Sequence, residues 1–158
     1  MNQSYERTKY EAKLDVSYGQ CWNALNERFF GRIDWIFGAI TLLGGSAIVY
    51  TVTADHKVAA AWVAGVVAAG AILERTIGAT EKKLEHRAMK ARFADLKARS
   101  DSMSLDELDA ELVRLQAEGP SGMKGLDDVA YNANVRTAGR EDWVAPLNLW
   151  SKFLRAMA

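Results

Sequence analysis

Between Trp35 and Leu73 the chain carries almost no charge, and this stretch limits what the rest can be. Trp35 to Val52 (WIFGAITLLGGSAIVYTV) and Val58 to Leu73 (VAAAWVAGVVAAGAIL) contain no Asp, Glu, Lys, Arg or His. Only the polar turn Thr53–Lys57 (TADHK) separates them. A helix rising 1.5 Å per residue needs about twenty apolar residues to cross roughly 30 Å of hydrocarbon. Two such runs joined by so short a turn predict an antiparallel helical hairpin across a membrane, with both chain ends on the same side. The first run is apolar around its whole circumference, through Ile36, Phe37, Ile40, Leu42, Leu43 and Ile48. Such a helix is either a membrane span or the centre of a large protein, and 158 residues do not build a large protein. Trp35 and Tyr50 stand near its two ends, where interfacial aromatics collect. The second run is built mostly of Ala, Gly and Val. It reaches spanning length only with Glu74-Arg75-Thr76-Ile77, whose charges would snorkel to the interface. The competing reading is a buried hairpin in a soluble bundle.

Lys and Arg set the expected orientation. Arg7, Lys9, Lys13, Arg28 and Arg32 precede the hairpin, and a dense basic series from Arg75 to Arg99 follows it. The turn has only Lys57. Positive charge marks the cytoplasmic side, so both termini are expected in the cytoplasm and the turn outside. No cleavable signal peptide is apparent ahead of the first run, so the charged leader is expected to stay on the protein. The predicted spans hold no charged group, which speaks against a proton or ion carrier.

Small residues are arranged by helical turn. Ala61, Gly65 and Ala69 form one small-xxx-small series, with Ala60, Ala64 and Ala68 beside it; the first run offers Gly44 and Gly45. Close backbone approach is what holds helices together in lipid. These residues predict helix packing within the hairpin and, through the second face, between copies of the chain.

The remainder reads as helices, and the fold class is all-α. Three regions are expected: a cytoplasmic amphipathic helix over residues 1–32, the two-span hairpin over 33–78, and a cytoplasmic helical region over 79–158. In the first, Leu14, Tyr18, Cys21, Trp22, Leu25 and Phe29 share one face, and Gly31 permits a bend before the span. A charged helix is expected to run out of the membrane from Glu74 with a thin stripe of Ile77, Leu84, Ala88, Ala91 and Leu96, and His86 is expected in solvent. Ser104 with Glu107 fits a capping box ahead of Leu105, Leu108, Leu112 and Leu115. The helix ends at Glu118-Gly119-Pro120, and Gly119–Gly125 reads as a linker, since neither strand nor Ser/Thr accompanies Lys124 in phosphate-loop spacing. Leu126 to Ala138 forms a further helix ended by Gly139. Asp142 is expected to cap a last helix with Trp143, Leu147, Trp150 and Leu154 on one face and Pro146 in its first turn. Trp22, Phe29, Trp143 and Trp150 are candidate contacts for a partner or lipid.

No nucleophile–base pair, metal-ligand spacing or cofactor loop is visible, so no catalytic residue, metal or cofactor is expected and the chain does not read as an enzyme. The lone Cys21 excludes an intramolecular disulfide. Acidic and basic side chains balance at 20 each, so no direct nucleic-acid partner is expected.

The layout, with Glu85-His86-Arg87 and Ala91-Arg92-Phe93-Ala94-Asp95-Leu96 after the second run and Ala130-Tyr131-Asn132-Ala133-Asn134 before Gly139, resembles the SLATT family of bacterial two-span proteins. The resemblance implies an oligomeric effector of the bacterial inner membrane that permeabilises it in anti-phage defence. It would be triggered through a nucleotide-sensing or reverse-transcriptase-type partner. The alternative is a non-conducting membrane-anchored adaptor or structural subunit whose cytoplasmic helices bind a partner protein.

Overall fold

The computed structural model describes residues 7–46 and 56–158. Among these the chain is all-helical, with no strand. Its helices are α1 (Lys9–Gly44), α2 (Lys57–Ile77), α3 (Ala79–Arg99), α4 (Leu105–Glu118), α5 (Leu126–Thr137) and α6 (Leu149–Met157), with a 3₁₀ turn at Glu141–Trp143. The chain divides into two compact units. One is Phe30–Lys82. The other joins the chain up to Phe29 with Lys83–Ala158. Residues 53–55 of the expected turn, and the end of the first run over 47–52, lie outside the described residues; Lys57 already belongs to α2.

In the discontinuous unit, α1 is held on two flanks. One flank sets Ala12 and Val16 against Met89, Phe93 and Leu96 of α3 and Leu108, Leu112 and Leu115 of α4, forming a single buried cluster. Gly19 lies directly against the Phe93 ring, so a Cβ there would collide with it. One turn further, Asn23 is buried and its Oδ1 lies 2.8 Å from His86 Nδ1. On the other flank the Asn134 amide donates to the Leu14 carbonyl at 3.0 Å, and the Trp22 indole donates to Asp127 at 2.6 Å. The linker 119–125 is pinned from beneath: the Met123 N–H donates to Asn26 Oδ1 at 2.7 Å, and Gly122 lies against Trp22.

Helical structure runs through Gly31 without interruption. Three local expectations are corrected. The long charged helix is instead two, parted at Gly78, whose φ of 62° lies in the left-handed region that glycine adopts without a Cβ penalty. The buried face of α3 is His86, Met89, Phe93 and Leu96, while Leu84, Ala88 and Ala91 face outward; His86 is fully buried, not solvated. Finally, the last helix is capped by Asn148, whose side chain accepts the Ser151 N–H at 2.7 Å, and not by Asp142. Pro146 disfavours the α conformation at Ala145. The extended segment is then clasped by Asn132, which donates to the Ala145 carbonyl at 2.8 Å and accepts its N–H at 2.9 Å. Trp143 and Trp150 therefore belong to different elements.

The capping box at Ser104 is present in both directions, and the Glu107 carboxyl, hydrogen-bonded by the Ser104 backbone and hydroxyl, is held below its ordinary range. Replacing Ser104 by Ala is expected to cost about 1 kcal/mol. Leu112→Ala in the cluster should cost about 2–5 kcal/mol. Denaturant unfolding of the detergent-solubilised protein, followed by helical circular dichroism, ranks the two; equal losses would refute the placement of Leu112 at the centre of the core.

Candidate membrane-facing surface

Helix α2 is Ala-rich, and Ala is the best helix former, so the segment is helical without a side-chain cap at its N-terminus. His56 at its N-cap makes no side-chain capping bond, and the first turn carries no acid. Its 21 residues span about 30 Å at 1.5 Å per residue, the thickness of a bilayer core. By length and composition, one helical stretch among the described residues, Val58–Arg99, contains a segment apolar enough to cross a membrane. Only 6% of that segment is buried.

Four contacts within the Phe30–Lys82 unit set the pairing of α1 with α2 and the start of α3. Gly44 abuts Val67 so closely that a Cβ would collide with its side chain. A Cβ on Gly70 would stand 3.4 Å from Ile40. The Thr80 hydroxyl donates to Asp34 at 2.5 Å, and the Lys82 ammonium lies 5.3 Å from the Phe30 ring centroid. Numbers that rise on one side as they fall on the other mean that the segments run antiparallel. Ala60, Val63, Val67 and Gly70 form the stripe of α2 that is at least partly covered, at the spacing of three and four that one helix face requires.

The opposite face is uncovered. Val58, Trp62, Val66, Ile72 and Leu73 are exposed, as are Trp35, Leu42 and Leu43 of α1. Apolar surface on this scale marks a contact with lipid or with another protein. Trp35 and Trp62 are 72% and 73% exposed. The antiparallel register places Trp35 level with the end of α2, roughly 20 Å along the axis from Trp62. Trp62, which the sequence pattern did not single out, thus joins Trp35 as an outward aromatic.

The small residues divide between the two faces. Gly44 lies at the tight crossing with Val67, and Gly45 meets only the Thr41 carbonyl of its own turn. Ala61, Gly65 and Ala69 are exposed on the outer face, and a Cβ at Gly65 would meet nothing within 4 Å. The four aromatic candidates divide as well. Phe29 is buried, and Trp22 is half-buried, edge-on to His86 with ring centroids 5.3 Å apart. Trp143 and Trp150 are exposed, the first under the Arg140 guanidinium at 4.1 Å.

The discontinuous unit also carries a cleft of about 340 Å³ lined by Tyr10, Tyr18, Tyr131, Arg140 and Trp143 among others. Burial, reinforced by the Asp127 and Asp128 carboxylates, pushes the Tyr18 phenol up to about 12. Burial likewise raises Asp15 despite its ion pair with Arg7. Among the described residues no group of three His, Cys, Asp or Glu side chains is placed to hold a metal ion. Comparison of the chain with protein-family models, with curated proteins and with solved structures finds no match.

Two outcomes are expected. Cysteines at Ile40 and Gly70, in a Cys21→Ala background, should cross-link; Gly44→Leu should abolish the cross-link and Gly65→Leu should leave it, as read by gel mobility after oxidation. The Tyr18 phenol holds its proton more tightly folded than unfolded. Its contribution to stability is therefore complete below pH 10 and lost as pH rises toward 12. Tyr18→Phe should flatten that decline and remove the last tyrosinate step from an ultraviolet titration.

Proposed function

We propose that this chain is a membrane-spanning helical protein that acts by self-association in the bilayer, permeabilising a bacterial inner membrane when a partner triggers it. On this reading the paired helices of Phe30–Lys82 form a transmembrane hairpin, and the termini are cytoplasmic. The observation that carries the proposal is the division of α2. One stripe is used against α1, and the face with Ala61, Gly65 and Ala69 is left open among exposed apolar side chains. Lipid tails offer no hydrophobic drive for helix association. A smooth small-residue face, which lets a second backbone come close, is the means by which such helices pair. A single hairpin encloses no interior, so a leak must form between copies. The SLATT resemblance supplies the defence role and the class of trigger, a nucleotide-sensing or reverse-transcriptase-type partner.

A second reading has its own support. The cleft beside Tyr18 and the firmly packed helices around it suit a membrane-anchored adaptor that binds a partner and conducts nothing.

Membrane potential and impermeant-dye uptake after induced expression separate the two. An effector should depolarise cells, and Gly65→Leu should suppress this by at least an order of magnitude while the protein still inserts. This variant is informative because nothing among the described residues stands within 4 Å of a Cβ at Gly65. Depolarisation unchanged by Gly65→Leu would refute association through this face. A stable co-purifying partner without depolarisation, even when that partner is activated, would favour the adaptor.

A further inference from the structure

α6 (Leu149–Met157) carries an apolar arc that the chain does not cover. At 100° per residue, Leu149, Trp150 and Phe153 fall within about a quarter-turn of one another. Leu149 is 84% exposed and the other two about half. Ser151 and Leu154 are buried, Leu154 one turn on from Trp150 at the covered edge of the arc. The Trp150 and Phe153 rings stack with centroids 5.5 Å apart and planes at 23°, so the arc is already assembled. The Asn148 cap holds the helix without any ligand. Among the described residues the arc is covered only at its edge, where the Trp150 ring lies against Gly125.

The charges beside it indicate what covers the rest. Lys152 lies about 60° beyond Leu149 and Arg155 about 120°, both on the same edge of the arc and exposed, and α6 contains no acid. Asp128 accepts from the Ser151 hydroxyl at 3.5 Å on the covered side. The exposed side is therefore apolar and cationic together. Trp, Phe and Arg suit protein–protein contacts too, where Lys is depleted; a short helix with Leu, Trp and Phe on one arc, Lys and Arg on the next, and no acid has the composition of one lying in a membrane interface, with cations at anionic headgroups and Trp at headgroup level.

We infer that α6 is a second membrane contact, an interfacial helix that lays Leu149, Trp150 and Phe153 into the boundary of an anionic lipid surface. The inference rests on the membrane-spanning reading above. It adds to that reading a reversible contact, governed by lipid charge, made by the unit that carries the cleft.

Spin labels test it in the full chain reconstituted in vesicles. Leu149→Cys and, separately, Val66→Cys are labelled in a Cys21→Ala background; both side chains are exposed, so neither change disturbs packing. Collision rates with oxygen and with a water-soluble nickel complex report depth. In phosphatidylcholine vesicles containing phosphatidylglycerol, the Leu149 label should sit about 5–10 Å into the headgroup–acyl boundary. Omitting phosphatidylglycerol, or making Lys152→Gln with Arg155→Gln, should lower the ratio of docked to free by about tenfold or more. A Leu149 label in water while the Val66 label lies among acyl chains overturns this inference and leaves the hairpin intact. Both labels in water overturn the membrane-spanning reading itself. Dipolar broadening at Leu149 without oxygen access means that a second copy covers the arc, and it also overturns the proposal. Immersion insensitive to lipid charge and to the double substitution refutes the anionic surface as the partner.

Discussion

Three side chains on one stretch of α1 decide how the discontinuous unit closes. Trp22 reaches Asp127 of α5, Asn23 reaches His86 of α3, and Asn26 holds the linker through Met123. Each amide also returns a hydrogen bond to its own helix, Asn23 to the Gly19 carbonyl at 2.8 Å and Asn26 to that of Trp22 at 3.0 Å. A buried polar group without a partner costs about 1–3 kcal/mol. The seam therefore specifies one arrangement: sliding α3 or the linker by a turn would strand several such groups at once. Apolar contacts among Ala12, Val16, Phe93 and Leu112 supply the driving force but tolerate slippage far better. The surface ion pairs, such as Arg92 with Glu118 at 2.5 Å, add little because exposed pairs contribute about 0–1 kcal/mol.

That same seam explains what could be read from the chain and what could not. The capping box at Ser104, the leucines of α4, the stop at Gly119 and the helix beginning at Leu126 follow from local chemistry and were legible. The buried face of α3 was not. Its members include His86 and, at the helix's end, Ser100, so polar residues occupy positions that an apolar period skips, and the eye settles on the outward Leu84 and Ala88 instead. A histidine amid charges looks solvated until the asparagine facing it from the other end of the chain is known. The last helix failed for a different reason. Pro146 was compatible with a first turn in isolation, but the clasp by Asn132, thirteen residues upstream, makes the segment extended.

For the apolar stretch, spacing alone distinguished two small-residue series without saying which one the chain uses. The structure shows a stripe that follows neither, sharing only Ala60 with the second: Ala60, Val63, Val67 and Gly70. Complementarity decides this, since Gly44 fits against a branched Val67 side chain only where its own Cβ is missing. Gly65 and its neighbours are left outward, and the conformational cost of a helical glycine, about 1 kcal/mol relative to Ala, goes uncompensated by any contact at Gly65 among the described residues.

The division of the molecule into a continuous unit and one built from both chain ends has a consequence for its biogenesis. A ribosome delivers residues in order, so Phe30–Lys82 is complete and exposing its apolar face while α1 still waits for α3, α4 and α5. Loop closure across so many residues is slow compared with local helix formation. The apolar segment therefore emerges while the unit that brackets it in sequence is unfinished, and interrupted synthesis would leave the Ala12–Val16 face bare. Vectorial synthesis thus imposes an order of events: apolar segment first, polar seam last.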